Sequence, residues 1–176
     1  MKWTDKTNMT MLTDFYELTM GKAYLDGGYE DTIAYFDLFF RSVPEQGGYA
    51  LCAGLEQAID YLQNLRFSTE DVQYLRSLQT FDEGFLDYLS SFRFNCDVWA
   101  VPEGTVVFPG EPLVKVRGPI IQAQMVETML LATINHQSLI ATKSSRIVRS
   151  AGDRKVFEFG ARRAQGYDAA GLGARA

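Results

Sequence analysis

Hydrophobic positions along this chain alternate between helical and strand spacing almost from end to end. Thr13 or Asp14 is placed to cap a helix in which Phe15, Leu18, Ala23 and Tyr24 fall on one face and which Asp26-Gly27-Gly28 ends. The run 32–40, TIAYFDLFF, is rich in β-branched and aromatic residues and reads as a strand before a turn at 44–48. Residues 49–53 form a short apolar strand, and Gly54 opens a helix over 55–65 with Leu55, Ile59, Leu62 and Leu65 in register. Ser68 and Asp71 stand at capping-box spacing ahead of a helix over 69–78, and another helix covers 83–92.

Between Asp97 and Pro119 the texture becomes all β, with VWAV, TVVF and LVKV separated by the turns PEG and PGEP. A long helical pattern then runs from Ile121 to Ser150, in one piece or two, with Met125 and Met129 in its apolar stripe. Gly152-Asp153 breaks it, Lys155 to Phe159 reads as a buried strand, and Gly160, Ala161, Arg162 and Arg163 follow at that strand's end. Ligands of α/β folds sit at the carboxyl ends of strands, which places the expected site near residue 160. The last residues, 168–176, start a helix-like segment, and the whole reads as a fragment. The division expected is an N-terminal α/β domain over 1–120, including the β-rich hairpin segment 97–119, then 121–176 as a long helix and the first strand of an incomplete barrel.

Composition narrows the picture. The chain has 176 residues, 47% of them hydrophobic and 13% aromatic, enough apolar material for a core and too much for disorder. The stretch 129–142 lacks charge, yet Thr133, Asn135, His136 and Gln137 interrupt it short of a membrane span. The first six residues lead into polar ones rather than into the apolar stretch of a secretory leader, and the chain reads as cytoplasmic. Cys52 and Cys96 lie outside any CxxC and, with one histidine in the chain, make no usual zinc site; they read as buried free thiols. The net charge of −5 argues against a nucleic-acid partner. Its distribution is uneven: residues 1–138 hold 9 Lys and Arg against 19 Asp and Glu, and residues 139–176 hold 8 against 3. A basic end on an acidic chain points to a local anionic ligand.

Candidate chemistry concentrates in that end. Neither GxGxxG nor a P-loop motif occurs. His136 has no assignable spacing to either thiol and reads as a hydrogen-bonded residue of a partly buried helix. Residues 102–116 have the texture of a lipoyl-type hairpin domain, but Lys115 lies inside a strand rather than at a hairpin tip, so the reading is structural. Lys143, Arg146 and Ser150 share a helix face, either a solvated basic surface or a phosphate site, while Arg162 follows two small residues that admit a ligand. Tyr16 near Asp14 and Phe159 near Arg162 would, taken singly, default to core packing.

Taken together, LTDFYELTMGKAY (12–24), FDLFFRSVPEQGGYALCAGLEQAIDYL (36–62), AVPEGTVVFPGEPLVKVRGP (100–119), INHQSLIATKSSRIV (134–148) and EFGARRAQG (158–166) resemble nicotinate phosphoribosyltransferase, in order and over nearly the whole chain. The resemblance implies an α/β fold, an α+β N-terminal domain followed by an irregular α/β barrel that is incomplete here, and a cytoplasmic homodimer with shared active sites. It implies formation of nicotinate mononucleotide from nicotinate and 5-phosphoribosyl 1-pyrophosphate, coupled to ATP hydrolysis through a phosphorylated histidine beyond Ala176, with Mg2+ accompanying the phosphates. By the same resemblance Phe159 stacks on one face of the pyridine ring and Tyr16 of the other subunit on the opposite face. Arg162 lies near the phosphoribosyl and nicotinate groups, Asp14 partners the ring or Tyr16, and Lys143 and Arg163 are further substrate-binding candidates. The chain alone is expected to be inactive, with an apolar strand edge open at 156–159. Two alternatives stand beside this reading: a non-catalytic or split subunit that completes its barrel with another chain, and a relative using nicotinamide or quinolinate.

Overall fold

The computed structural model describes residues 8–176, Gln46 by its backbone alone, so the leader-free reading of the first residues lies outside the described part. Among the described residues seven α-helices and five strands follow one another in a mixed α/β arrangement. They form two compact units, each assembled from three stretches of chain. The first takes the stretch ending at Asp37 with Glu56–Trp99 and Lys115–Leu130; the second takes Leu38–Leu55, Ala100–Val114 and Leu131–Ala176.

In the first unit, helix α1 (Phe15–Asp26) packs on α5 (Ile120–Gln124). The expected face of α1 is turned: Leu18 and Gly21 are buried together with Glu17, whereas Phe15 is half exposed and touches the Phe81 ring edge at 5.7 Å between centroids. Gly21 is what allows the approach, because a Cβ there would stand 3.3 Å from Ile121 Cγ2. Neither expected cap acts through its side chain; the Thr13 hydroxyl donates to the Glu17 carboxylate, and Asp14 is the N-cap by its backbone only.

Helix α3 (Thr69–Ser77) begins with the full capping box, Ser68 Oγ accepting from Asp71 N at 3.1 Å and Asp71 Oδ2 from Ser68 N at 2.8 Å. Helix α4 (Glu83–Ser90) is capped by Asp82, whose carboxylate accepts from Phe85 N. A run of rings, Phe81–Phe85–Tyr88–Phe92–Phe67, links α4 to its neighbours with successive centroids 5.2 to 6.3 Å apart. On helix α2 (Leu55–Asn64) the buried side is Ala58 and Tyr61, continued by Leu65, and Ile59 is exposed, one helical position away from the expected stripe.

Strands β1 (Ile33–Phe39), β3 (Asp97–Ala100) and β5 (Pro112–Pro119) form a three-stranded sheet in the order β1-β5-β3. The strand between the two turns, β4 (Val106–Val107), leaves that sheet and pairs antiparallel with β2 (Ala50–Leu51), Ala50 opposite Val107 and Leu51 opposite Val106. The hairpin texture of 97–119 is therefore shared between two sheets rather than stacked in one.

In the second unit the other edge of β2 is completed by a helix. The long helical pattern is indeed two pieces, α5 and α6 (Glu127–Ala151). The buried side of α6 carries polar residues, of which Ser138 Oγ accepts from Ala53 N at 2.9 Å and Thr142 Oγ1 from Leu51 N at 2.8 Å. Gly54, at φ +101°, lets the backbone pass close to Thr133 O. Glu103, in the turn before β4, accepts from the Gly54 and Leu55 N–H groups at 2.7 and 2.8 Å and pairs with Arg175 of α7 (Tyr167–Arg175) at 2.7 Å. Among the described residues no helix is long and apolar enough to cross a membrane.

Residues 155–159 are not a strand. They are extended coil with exposed side chains, Phe157 at 70% and Phe159 at 76%. No strand among the described residues lies alongside them, and a strand without a ladder partner has no hydrogen bonds to hold it. The apolar composition predicted a core strand, and the structure instead leaves the segment exposed and unpaired among the described residues.

Candidate functional site

The candidate residues fall into two groups, one in each unit. In the first, Tyr16 occupies the opening turn of α1 and is 42% exposed, against the default of core packing. Its phenol meets the Glu127 carboxylate, and this hydrogen bond, with burial and the charges of Glu127, Glu17 and Asp14, pushes its pKa upward and keeps the hydroxyl neutral. Asp14 is exposed; its backbone N–H donates to Thr128 Oγ1 at 3.2 Å, leaving the carboxylate outside the capping interaction.

The second group lies between residues 143 and 163. Phe159 projects from the coil beside Phe157, their centroids 6.5 Å apart. Gly160 N–H donates to the Glu158 carboxylate, and a single 3₁₀ turn, Ala161–Arg163, closed by Arg163 N to Gly160 O at 2.8 Å, carries both arginines into solvent. Among the described residues Arg162 and Arg163 make no ion pair, so both guanidiniums are available to an anion. Lys143 is engaged instead: its ammonium meets Glu45 at 2.5 Å, which holds the Glu45 carboxyl below its ordinary range. Arg146 joins the same carboxylate at 3.5 Å and lies over the Tyr49 ring. Glu45 presents itself from a left-handed backbone position, φ 59°, and neutralises much of the basic face read from the sequence.

The thiols and the histidine stand apart from this chemistry. Cys52 and Cys96 are free, and burial pushes each thiol up to about 11. His136 is half buried with Nε2 3.3 Å from Ala169 O.

Sequence reasoning missed Glu17. It is fully buried, accepts from Thr128 N at 2.9 Å and Thr128 Oγ1 at 2.8 Å, and its pKa is pushed up to about 7. Burial is the largest cause; the Thr128 bonds oppose it, and the nearby Glu127 and Asp14 add to it. The only local signal was an acid three positions after Asp14, which reads as an ordinary capping box.

Comparison with known proteins finds the same fold among nicotinate phosphoribosyltransferases. The chain matches the crystal structure of human nicotinic acid phosphoribosyltransferase with a TM-score of 0.84 at 39% identity, over 93% of this chain and 33% of that one. A nicotinate-nucleotide pyrophosphorylase from Pyrococcus furiosus shares the fold, with a TM-score of 0.72 at 22% identity over 97% of this chain and 38% of that one. The family model of the nicotinate phosphoribosyltransferase (NAPRTase) N-terminal domain matches residues 11–135, and the chain belongs to this family. A nicotinate phosphoribosyltransferase of Mycobacterium tuberculosis is 48% identical over 160 residues, 91% of this chain and 34% of its own length. That of Bacillus subtilis is 43% identical over 169 residues, 96% and 34%. The chain therefore spans about a third of the length of the curated relatives it matches.

Proposed function

We infer that this chain supplies the pyridine-binding residues of a nicotinate phosphoribosyltransferase, which joins nicotinate to 5-phosphoribosyl 1-pyrophosphate and releases nicotinate mononucleotide and pyrophosphate in NAD biosynthesis. The observation that carries this reading is the segment 159–163, where an exposed aromatic ring precedes two unpaired guanidiniums in a chain of this family.

The chemistry suits those residues. Departure of pyrophosphate leaves a cationic ribosyl centre that the pyridine nitrogen attacks, so the protein's task is to hold rings and charges in place. Phe159 would stack on the ring, Arg162 would grip the nicotinate carboxylate or a phosphoribosyl oxygen through its planar fork, and Arg163 would add a second positive charge. Tyr16 would cover the opposite ring face from the partner subunit of a cytoplasmic homodimer, with Asp14 at its side. Lys143 would contribute only if a ligand displaced Glu45. ATP, acting through a histidine outside this chain, would drive the equilibrium towards product. Mg2+ accompanying the phosphates would be held mainly by the phosphates and water with one or two carboxylates, and no step is routed through it.

The test uses the complete enzyme. Tyr16→Ala and Phe159→Ala should each raise the KM for nicotinate selectively, since one ring contact is worth about 0.5–1.5 kcal/mol beyond area burial. Tyr16→Phe, which keeps the ring, should be mild. Mixing the two Ala variants should restore part of the activity, because one site of a hybrid dimer holds both rings. Hybrid dimers that form without recovering activity would remove the shared site.

A further inference from the structure

Glu17 lies one residue from Tyr16 and points the opposite way, into the first unit. Its carboxylate takes three donors: the Thr13 hydroxyl, the Thr128 hydroxyl at 2.8 Å and the Thr128 N–H at 2.9 Å. Thr128 stands in the first turn of α6, where backbone N–H groups lack intrahelical acceptors, so Glu17 of α1 serves as a remote cap for another helix. The Thr128 hydroxyl gives its proton to Glu17 and accepts from Asp14 N at 3.2 Å. The loop is thereby closed: Asp14 N–H to Thr128, Thr128 to Glu17, Thr13 to Glu17. Tyr16 sits inside it, with its phenol on Glu127, the neighbour of Thr128.

Other groups around Glu17 leave it little alternative. Glu127 from α6 and Asp14 on its own helix repel it, and Tyr61 from α2 is buried close enough for the Glu17 charge to act on its phenol. A carboxylate facing two others stays in place only through its three donors.

We propose that Glu17 is a positioning residue for the nicotinate ring: by clasping Thr13 and Thr128 it fixes the turn of α1 that carries Asp14 and Tyr16 on the first turn of α6, and so sets the plane in which the Tyr16 ring meets the pyridine. This rests on the reading that Tyr16 contacts nicotinate. Glu17 itself touches no substrate, so its removal acts on the pose of the tyrosine. The phosphoribosyl donor, bound elsewhere, is indifferent to it.

The experiment measures KM for nicotinate, KM for 5-phosphoribosyl 1-pyrophosphate and kcat in the complete enzyme for Glu17→Ala, Glu17→Gln, Thr128→Val and Tyr16→Ala. Glu17→Ala should raise the nicotinate KM about threefold to fivefold, less than Tyr16→Ala does, while the other two parameters stay within about twofold, since a tilted ring loses only part of the contact that Tyr16→Ala removes whole. Glu17→Gln should restore the wild-type value, because the amide oxygen still accepts from Thr128 and the amide N–H can donate to the Thr13 hydroxyl. Should Glu17→Ala not fold, Thr128→Val decides: it keeps the N–H to Glu17 and deletes the hydroxyl bridge, and a rise of about threefold or more supports the clasp. A nicotinate KM unchanged in folded Glu17→Ala or in Thr128→Val, with Tyr16→Ala impaired, overturns the positioning role alone. So does a Glu17→Ala defect spread equally over both substrates or confined to kcat. An unimpaired Tyr16→Ala overturns the parent reading, and the clasp falls with it.

Discussion

Replacing Glu17 by Gln should change how the stability of this chain depends on pH. The side chain is 0% exposed, and its pKa is pushed up to about 7 from an ordinary value of 4.5, chiefly by burial. Below 4.5 the carboxyl is protonated whether the chain is folded or not, and the group imposes no penalty. As the pH rises, the unfolded chain releases this proton first and the folded chain retains it, so stability falls until the pH passes about 7. At about 1.4 kcal/mol per pH unit the full loss is on the order of 3 kcal/mol, of which about 2 to 3 kcal/mol develops between pH 5 and pH 8. Glutamine keeps the acceptor for Thr128 and cannot ionise. Urea unfolding of both proteins at pH 5, 6, 7 and 8 cancels the contributions of all other titrating groups in the difference. Glu17→Gln should gain on the wild type by about 2 to 3 kcal/mol across that interval, with the change centred between 5 and 7. Parallel stability curves would show that the carboxylate is not held against its own charge, and the account of its environment would fail.

Two further outcomes follow from other parts of the molecule. Gly54→Ala should cost about 2 to 3 kcal/mol in urea unfolding, because φ is +101° and the added Cβ would lie 2.7 Å from Thr133 O; a loss under about 0.5 kcal/mol would mean the helix backbone yields there. Arg162→Lys in the complete enzyme should weaken substrate binding by about 1 to 3 kcal/mol, since the charge stays and the fork is lost, and Arg149→Lys, exposed on the last turn of α6, should be near silent; equal effects would reduce the basic end to solvated surface. Arg175 does not serve as that control, because its guanidinium is bound to Glu103 and to Gln137.

What could be read from the sequence was what neighbouring residues decide among themselves. Ser68 and Asp71 specify the start of α3 within four positions, and Gly152 stops α6 one residue after Ala151. Two-residue β4 contains nothing that names β2 as its partner, because the pairing depends on residues more than fifty positions earlier. The stripe on α2 slipped for a related reason: leucines mark a hydrophobic helix, but Tyr61 fills the space that the fold presents. For the proposed site, Tyr16, Phe159 and Arg162 were named through a family resemblance alone, whereas Lys143 looked free until the turn at Glu45 met it. Glu17 was invisible because an acid in the first turn of a helix is commonplace, and its partner Thr128 lies 111 positions away.

The side-chain hydroxyls that complete β2 impose a tolerance on the length of α6. Ser138 and Thr142 are four residues apart on the helix, a rise of about 6 Å, and they serve Ala53 and Leu51, two residues apart on an extended chain, a rise of about 6.6 Å. One helical turn is thus meshed with two strand residues, like teeth of nearly equal pitch. Inserting or deleting a residue between 138 and 142 would swing the second hydroxyl by about 100° around the helix axis and leave one strand N–H facing a hydrocarbon wall. Changes in length can be absorbed at the turn after Ala151, whereas within this single turn of α6 the helix and the strand keep count for each other.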